Sequence, residues 1–211
     1  MHPLSRLRAS IYDAVVAGMT ASWYRAVLDR LEPGCRLLDV GIGTGAALLA
    51  NAQTLVAKDL HVTGVDIDAA YVERCREEVR RRGLSMRVDV RLESIADHRG
   101  GPYDAAYFSG SFMLIPEPEA VLRHVAALLE PCGRVYFTQT FEKRRSALVE
   151  FVKPLLHLAT TIDFGRVTYE TDFHRVLADG GLELEDLVVL SDGEHRRSVI
   201  AVARVASVAE L

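Results

Sequence analysis

The run Leu37-Leu38-Asp39-Val40-Gly41-Ile42-Gly43-Thr44-Gly45 constrains this chain more than any other segment. Glycines at alternate positions, directly between an apolar run and a helical pattern, require backbone that turns tightly and approaches a neighbour with no Cβ in the way. Leu37, Leu38 and Val40 suit a strand buried on both faces, and Ala46 to Val56 reads as the helix that follows. Amides exposed at such a helix start offer donors to a carboxylate or a phosphate. A strand, a bare turn and a helix in this order predict an α/β unit with a small-ligand site at the turn.

The alternation continues along the chain. His61 to Val65 reads as a strand, Ala69 to Arg82 as a charged helix closed by Gly83, and Met86 to Leu92 and Tyr103 to Phe108 as further strands. Glu117 to Leu129 places Val121, Leu122, Val125, Leu128 and Leu129 on one face and stops at Pro131, which predicts an amphipathic helix; Arg134 to Thr140 then reads as a strand. Glu170 to Ala178 is a helix closed by Gly180-Gly181, and Leu184 to Leu190 with Ser198 to Val205 predicts an antiparallel hairpin turning near Asp192-Gly193. Parallel strands need crossover connections, so the expected fold is a doubly wound, Rossmann-like, mostly parallel sheet with helices on both faces. We read residues 1–211 as a single domain, with N-terminal helices in 1–32 and a lid-like, partly basic insertion at about 141–169.

Composition narrows the function. A formal charge of −4 disfavours a protein whose main partner is a phosphate backbone. No apolar stretch approaches the roughly 18 residues of a membrane span. Three cysteines without a C-x-x-C pair indicate neither a disulfide framework nor a metal site. The expectation is a soluble, cytoplasmic protein with a small-molecule substrate, monomeric or homodimeric, with no nucleic-acid partner and no metal.

After the second strand comes Gly64-Val65-Asp66-Ile67-Asp68. A carboxylate at Asp66 is placed to accept the hydroxyls of a ribose, while Asp68 suits the N-cap of the helix opening at Ala69. Gly41, Gly43 and Ala46 also satisfy the relaxed dinucleotide pattern G-x-G-x-x-G/A, so the loop leaves an NAD(P)-dependent oxidoreductase open.

In their order and spacing, LLDVGIGTG, GVDID, YDAAYFSGSF and LLEPCGRVYF resemble the class I S-adenosylmethionine-dependent methyltransferases of small-molecule type, over roughly Trp23 to Gln139. The resemblance implies a seven-stranded sheet with an antiparallel last strand, S-adenosyl-L-methionine as cofactor and S-adenosyl-L-homocysteine as product. By motif position, Asp39 would orient the methionine amino group, and Gly41, Gly43 and Gly45 would pack backbone against methionine and ribose. Asp66 would hold the ribose hydroxyls and Ile67 the adenine face, with Glu93 and the Ser94 backbone at the adenine amino group. Ser109, with Gly110 and Ser111, would line the space between cofactor and acceptor. Pro131-Cys132-Gly133 matches a Pro-Gly-Gly turn, in which Cys132 would be strained if the middle residue needs positive φ.

Transfer of a methyl group from a sulfonium needs alignment first and a base only where the acceptor must lose a proton. Accordingly no G-x-S-x-G, H-E-x-x-H or P-loop motif is found. His157, Asp163 and Tyr169 in the insertion are the candidate bases. A non-catalytic binding protein that keeps the fold stays open beside the oxidoreductase.

Overall fold

In the computed structural model, which describes residues 18–143 and 169–206, the apolar runs become strands β1 (Arg36–Val40), β2 (His61–Asp66), β3 (Val88–Leu92), β4 (Tyr103–Ser109), β5 (Leu129–Glu142), β6 (Leu182–Asp192) and β7 (Arg196–Val205). Between them lie helices α1 (18–28), α2 (Ala46–Leu49), α3 (Ala52–Ala57), α4 (Ala69–Arg81), α5 (Pro118–Ala127) and α6 (Glu170–Asp179). The seven strands follow the order β3-β2-β1-β4-β5-β7-β6. The chain divides after Ser94 into two compact units.

In the first unit β1, β2 and β3 are parallel, with Val40 opposite Val65 and Asp66 opposite Leu92. This register ends the strands within about a residue of one another, so the loops after them leave from one edge. Helix α4 buries Val72, Cys75 and Val79, spaced at three and four residues, and turns its charged residues outward. Asp68 caps it, accepting from the amides of Ala70 and Tyr71 at 2.8 and 3.1 Å. Ion pairs such as Arg81 with Glu78, 2.6 Å apart, lace the outer face, where solvent screening leaves them little weight in stability. At the end of α1 the Lys58 ammonium donates to the carbonyls of Leu28, Asp29 and Leu31 at 3.1, 2.6 and 2.8 Å, satisfying acceptors that a helix end leaves orphaned.

The expected helix from Ala46 to Val56 is two short ones. Asn51 Nδ2 donates to Ala47 O and Ala21 O, both at 2.9 Å, and its backbone leaves helical φ/ψ. A side-chain amide that captures the carbonyl of the preceding turn competes with the helix ladder, and here it breaks it.

The second unit pairs β4 with β5 in parallel, β5 with β7 and β7 with β6 antiparallel, so the expected terminal hairpin is present. Its core is aromatic. Phe108 and Phe137 stack at 5.1 Å between centroids, Phe112 meets Phe137 edge-on at 5.0 Å, and Phe173 of α6 meets Phe137 edge-on at 5.3 Å. Such pairs contribute roughly 1 kcal/mol each beyond the area they bury.

Strand β5 corrects three expectations. It begins at Leu129, so α5 stops at Ala127. Its register jumps from Leu129 opposite Tyr103 to Arg134 opposite Ala105, and a Cβ on Gly133 would lie 2.9 Å from Leu129 Cβ. The chain thus turns tightly at Pro131-Cys132-Gly133 as expected, but Cys132 does not have positive φ and is not strained. It also takes in Phe141 and Glu142, which the register on β7 holds opposite Arg197 and Arg196, so these two residues belong to the sheet and not to an insertion. Among the described residues no helix is long and apolar enough to cross a membrane.

Candidate functional site

The loop after β1 is built from residues in left-handed backbone. Gly43 has φ 59° and Gly45 φ 68°. The two glycines differ in what surrounds them. A Cβ on Gly45 would lie 2.4 Å from Cys75 Sγ, so the absence of a side chain lets α4 pack against the loop. A Cβ on Gly43 would meet nothing within 4 Å, so that side of the loop faces open space.

Asp66, at the end of β2, joins the loop to the strand. Its Oδ2 accepts the Gly43 N–H at 2.8 Å and its Oδ1 accepts the Asp68 N–H at 2.9 Å. Each oxygen keeps a lone pair, since a carboxylate offers about four acceptor positions. The next residue, Ile67, is 78% exposed, an apolar side chain held out beside the carboxylate. The Glu93 N–H donates to Asp66 O at 3.1 Å, which brings the half-buried Glu93 and Ser94 to the same edge.

Asp39 is fully buried at the end of β1. The Tyr24 hydroxyl donates to it, 2.9 Å from Oδ2 and 3.1 Å from Oδ1. Burial pushes the Asp39 carboxyl up to about 7; the Tyr24 hydrogen bond holds it down, and the negative charge of Asp66 adds to the rise. The Cys75 thiol is pushed up to about 12, mainly by burial and then by Asp39 and Asp66. With Cys35 also buried and Cys132 exposed, a maleimide pulse at pH 8 read by mass spectrometry is expected to label one thiol fast, at Cys132, and the other two only after denaturation. Fast labelling of Cys75 would show that α4 does not pack on the loop as described.

Asp39, Gly41, Gly43, Gly45, Asp66, Ile67, Glu93 and Ser94 thus all lie in the first unit, on β1 to β3 and the loops leaving them. Ser109 ends β4 in the second unit, its Oγ buried without a hydrogen-bond partner. Tyr169 is buried just before α6. His157 and Asp163 fall outside the described residues. The partner of Asp39 is absent from the set that sequence reasoning assembled, yet Tyr24, Val27, Leu28 and Leu31 form one apolar stripe and are all buried. A tyrosine on such a stripe needs an acceptor for its hydroxyl, and that requirement was the available signal.

Comparison with known proteins gives a consistent result. Residues 31–181 match a family model described as a methyltransferase domain. The chain is 30% identical over 171 residues to ubiquinone biosynthesis O-methyltransferase of Xanthomonas axonopodis pv. citri, covering 76% of this chain and 68% of that protein. It is 38% identical over 134 residues to nocamycin O-methyltransferase of Saccharothrix syringae, covering 62% of this chain; the matched region spans about half, 47%, of that relative. The structure of a geranyl diphosphate methyltransferase in complex with SAM superposes with a TM-score of 0.71 at 18% identity, over 88% of this chain and 85% of that one.

Proposed function

The chain belongs to the methyltransferase domain family, and from that premise we propose that it moves a methyl group from S-adenosylmethionine to a small-molecule acceptor. The observation that carries this reading is the bond from the Gly43 amide to Asp66, which brings the bare loop and the carboxylate of the next strand to one place. When bound, S-adenosylmethionine would supply an activated methyl carbon on a sulfonium, open to the lone pair of an acceptor, with a neutral thioether as leaving group.

The residues present fit such a ligand. Open space on Gly43 admits the methionine and ribose portions against backbone. Asp66 has lone pairs left for two ribose hydroxyls, and exposed Ile67 offers an apolar surface to adenine, with Glu93 and Ser94 beside it at the same edge. Asp39, buried with a carboxyl pushed up to about 7, gains a counter-charge from the ligand's ammonium. A carboxylate at Asp39, directly before the glycine loop, suits a nucleoside with an amino-acid tail better than a dinucleotide, whose pyrophosphate would lie against that loop.

One family model spanning residues 31 to 181 supports reading the chain as a single domain. Free thiols at Cys35, Cys75 and Cys132 support a cytoplasmic setting. Titration calorimetry tests the function: S-adenosylhomocysteine is expected to bind and NADH not to, and Asp66→Ala is expected to weaken S-adenosylhomocysteine by about 1 to 3 kcal/mol. Binding of NADH alone would end the methyltransferase reading.

A further inference from the structure

The second unit holds a cavity of about 400 Å3 at the carboxyl end of β5, walled by Phe141, Lys143, Tyr169, Glu170, Asp192 and Arg197. That volume lies within the range of small-molecule sites. Ion pairs border it: Lys143 Nζ with Asp192 at 2.6 Å, Arg197 Nη1 with Glu170 at 3.2 Å, and Arg196 Nε with Glu142 at 2.9 Å. Each carboxylate is matched by a cation, so the border is close to neutral.

Two polar groups at this end of the sheet are left over. The Arg197 Nε is buried and has no acceptor, although Nη1 of the same guanidinium is engaged. Gln139 is 1% exposed, and neither its amide nitrogen nor its amide oxygen has a partner. Side chains two apart on a strand share a face, and residues opposite each other in the β5–β7 register do too, so Gln139, Phe141 and Arg197 stand on one face of the sheet. Buried polar groups in native proteins are almost always paired, so two orphans on the face that carries a cavity wall point to a missing partner.

Their chemistry describes that partner. The Arg197 Nε–H and the Gln139 amide N–H groups donate, and the Gln139 oxygen alone accepts, so the complement is rich in oxygen. An arginine edge suits the two oxygens of a carboxylate, and Phe141 with Tyr169 offers ring faces to a flat apolar body.

We propose that this cavity binds the methyl acceptor and that the acceptor is a planar, ring-bearing carboxylic acid, recognised by Arg197 in the cavity wall, with Gln139 on the same face of the sheet. Only the word acceptor rests on the methyltransferase reading; the carboxylate specificity stands on the second unit by itself.

The experiment uses the full chain and three probes of like shape and different charge: benzoate, benzyl alcohol and benzylammonium. Affinities are measured by saturation-transfer NMR and calorimetry. Benzoate is expected to bind at least tenfold more tightly than the other two. Arg197→Gln is expected to abolish that preference, and so is Arg197→Lys, which keeps the charge and loses the planar edge. Gln139→Leu is expected to weaken benzoate at least threefold while raising the thermal midpoint, because it removes an unpaired buried amide; a purely structural glutamine would move the midpoint without moving benzoate. The proposal is overturned if the wild-type chain binds benzoate no better than benzyl alcohol, or if both Arg197 variants keep the preference. S-adenosylhomocysteine binding, followed in the same samples, separates the two readings. Benzoate bound without it retains the cavity and removes the methyltransferase, and the reverse result removes the carboxylate site alone.

Discussion

Asp39→Asn is expected to make the unliganded protein more stable at pH 8 and no more stable at pH 4. Asp39 is fully buried and its carboxyl is pushed from 3.8 up to about 7 by that burial, so the folded chain holds this proton over a pH range in which the unfolded chain releases it. With the folded value above the unfolded one, the folded state binds more protons between about pH 4 and pH 7, and stability falls as pH rises through that window. Below it the acid is neutral in both states and costs nothing. Above it the full penalty of a buried charge applies, up to about 4 kcal/mol at 1.36 kcal/mol per unit. Asparagine keeps an acceptor for the Tyr24 hydroxyl and carries no charge. We expect it to recover about 2 to 4 kcal/mol at pH 8, read by urea denaturation across a pH series. A difference that does not change with pH would show that Asp39 is not the titrating group. The same variant is expected to lose at least tenfold in S-adenosylhomocysteine affinity, roughly 1.4 kcal/mol or more, because a ligand ammonium would lose its counter-ion. A gain in stability with a loss in binding is the pattern of a residue held under strain for function.

Gly45→Ala is expected to cost roughly 2 to 4 kcal/mol, for two separable reasons. At φ 68° any residue with a Cβ is disfavoured, by about 1 to 2 kcal/mol. The added methyl would also lie 2.4 Å from Cys75 Sγ, on a helix whose inner face is already packed. Only the second part can be relieved. Gly45→Ala combined with Cys75→Ala is therefore expected to be more stable than the sum of the single changes by about 1 kcal/mol or more, measured as a double-mutant cycle. Strict additivity would place the whole cost in the backbone and leave no clash to remove.

What the sequence disclosed, and what it withheld, follows the range of the forces involved. The glycine loop, the Asp68 cap and the terminal hairpin are local: each is set by a few neighbouring residues, and each is found where its pattern lies. The Asn51 amide that breaks the helix through Ala47 is also held by Ala21, thirty residues away, a bond that helical periodicity over Ala46 to Val56 could not reveal. The extension of β5 at both ends is also non-local. Leu129 joins the sheet through Tyr103, and Phe141 and Glu142 through Arg197 and Arg196, partners far away in the chain. Within the site, Asp66 and Ile67 were legible because they follow a strand by fixed offsets. Tyr24, Gln139 and Arg197 were not, because their meaning lies in partners present or missing across strands and helices.

The Asp66 carboxylate bonds the Gly43 amide and the amide that leads into α4, so the bend after β1 has its shape with no guest in it. A guest that finds its berth already formed loses little chain entropy on arrival, and its encounter rate is then governed by diffusion and charge, with no folding step to wait for. Cutting that tie would slow capture through disorder as well as through the lost contact, so the two contributions at Asp66 should part company in stopped-flow traces, one appearing in arrival and the other in escape.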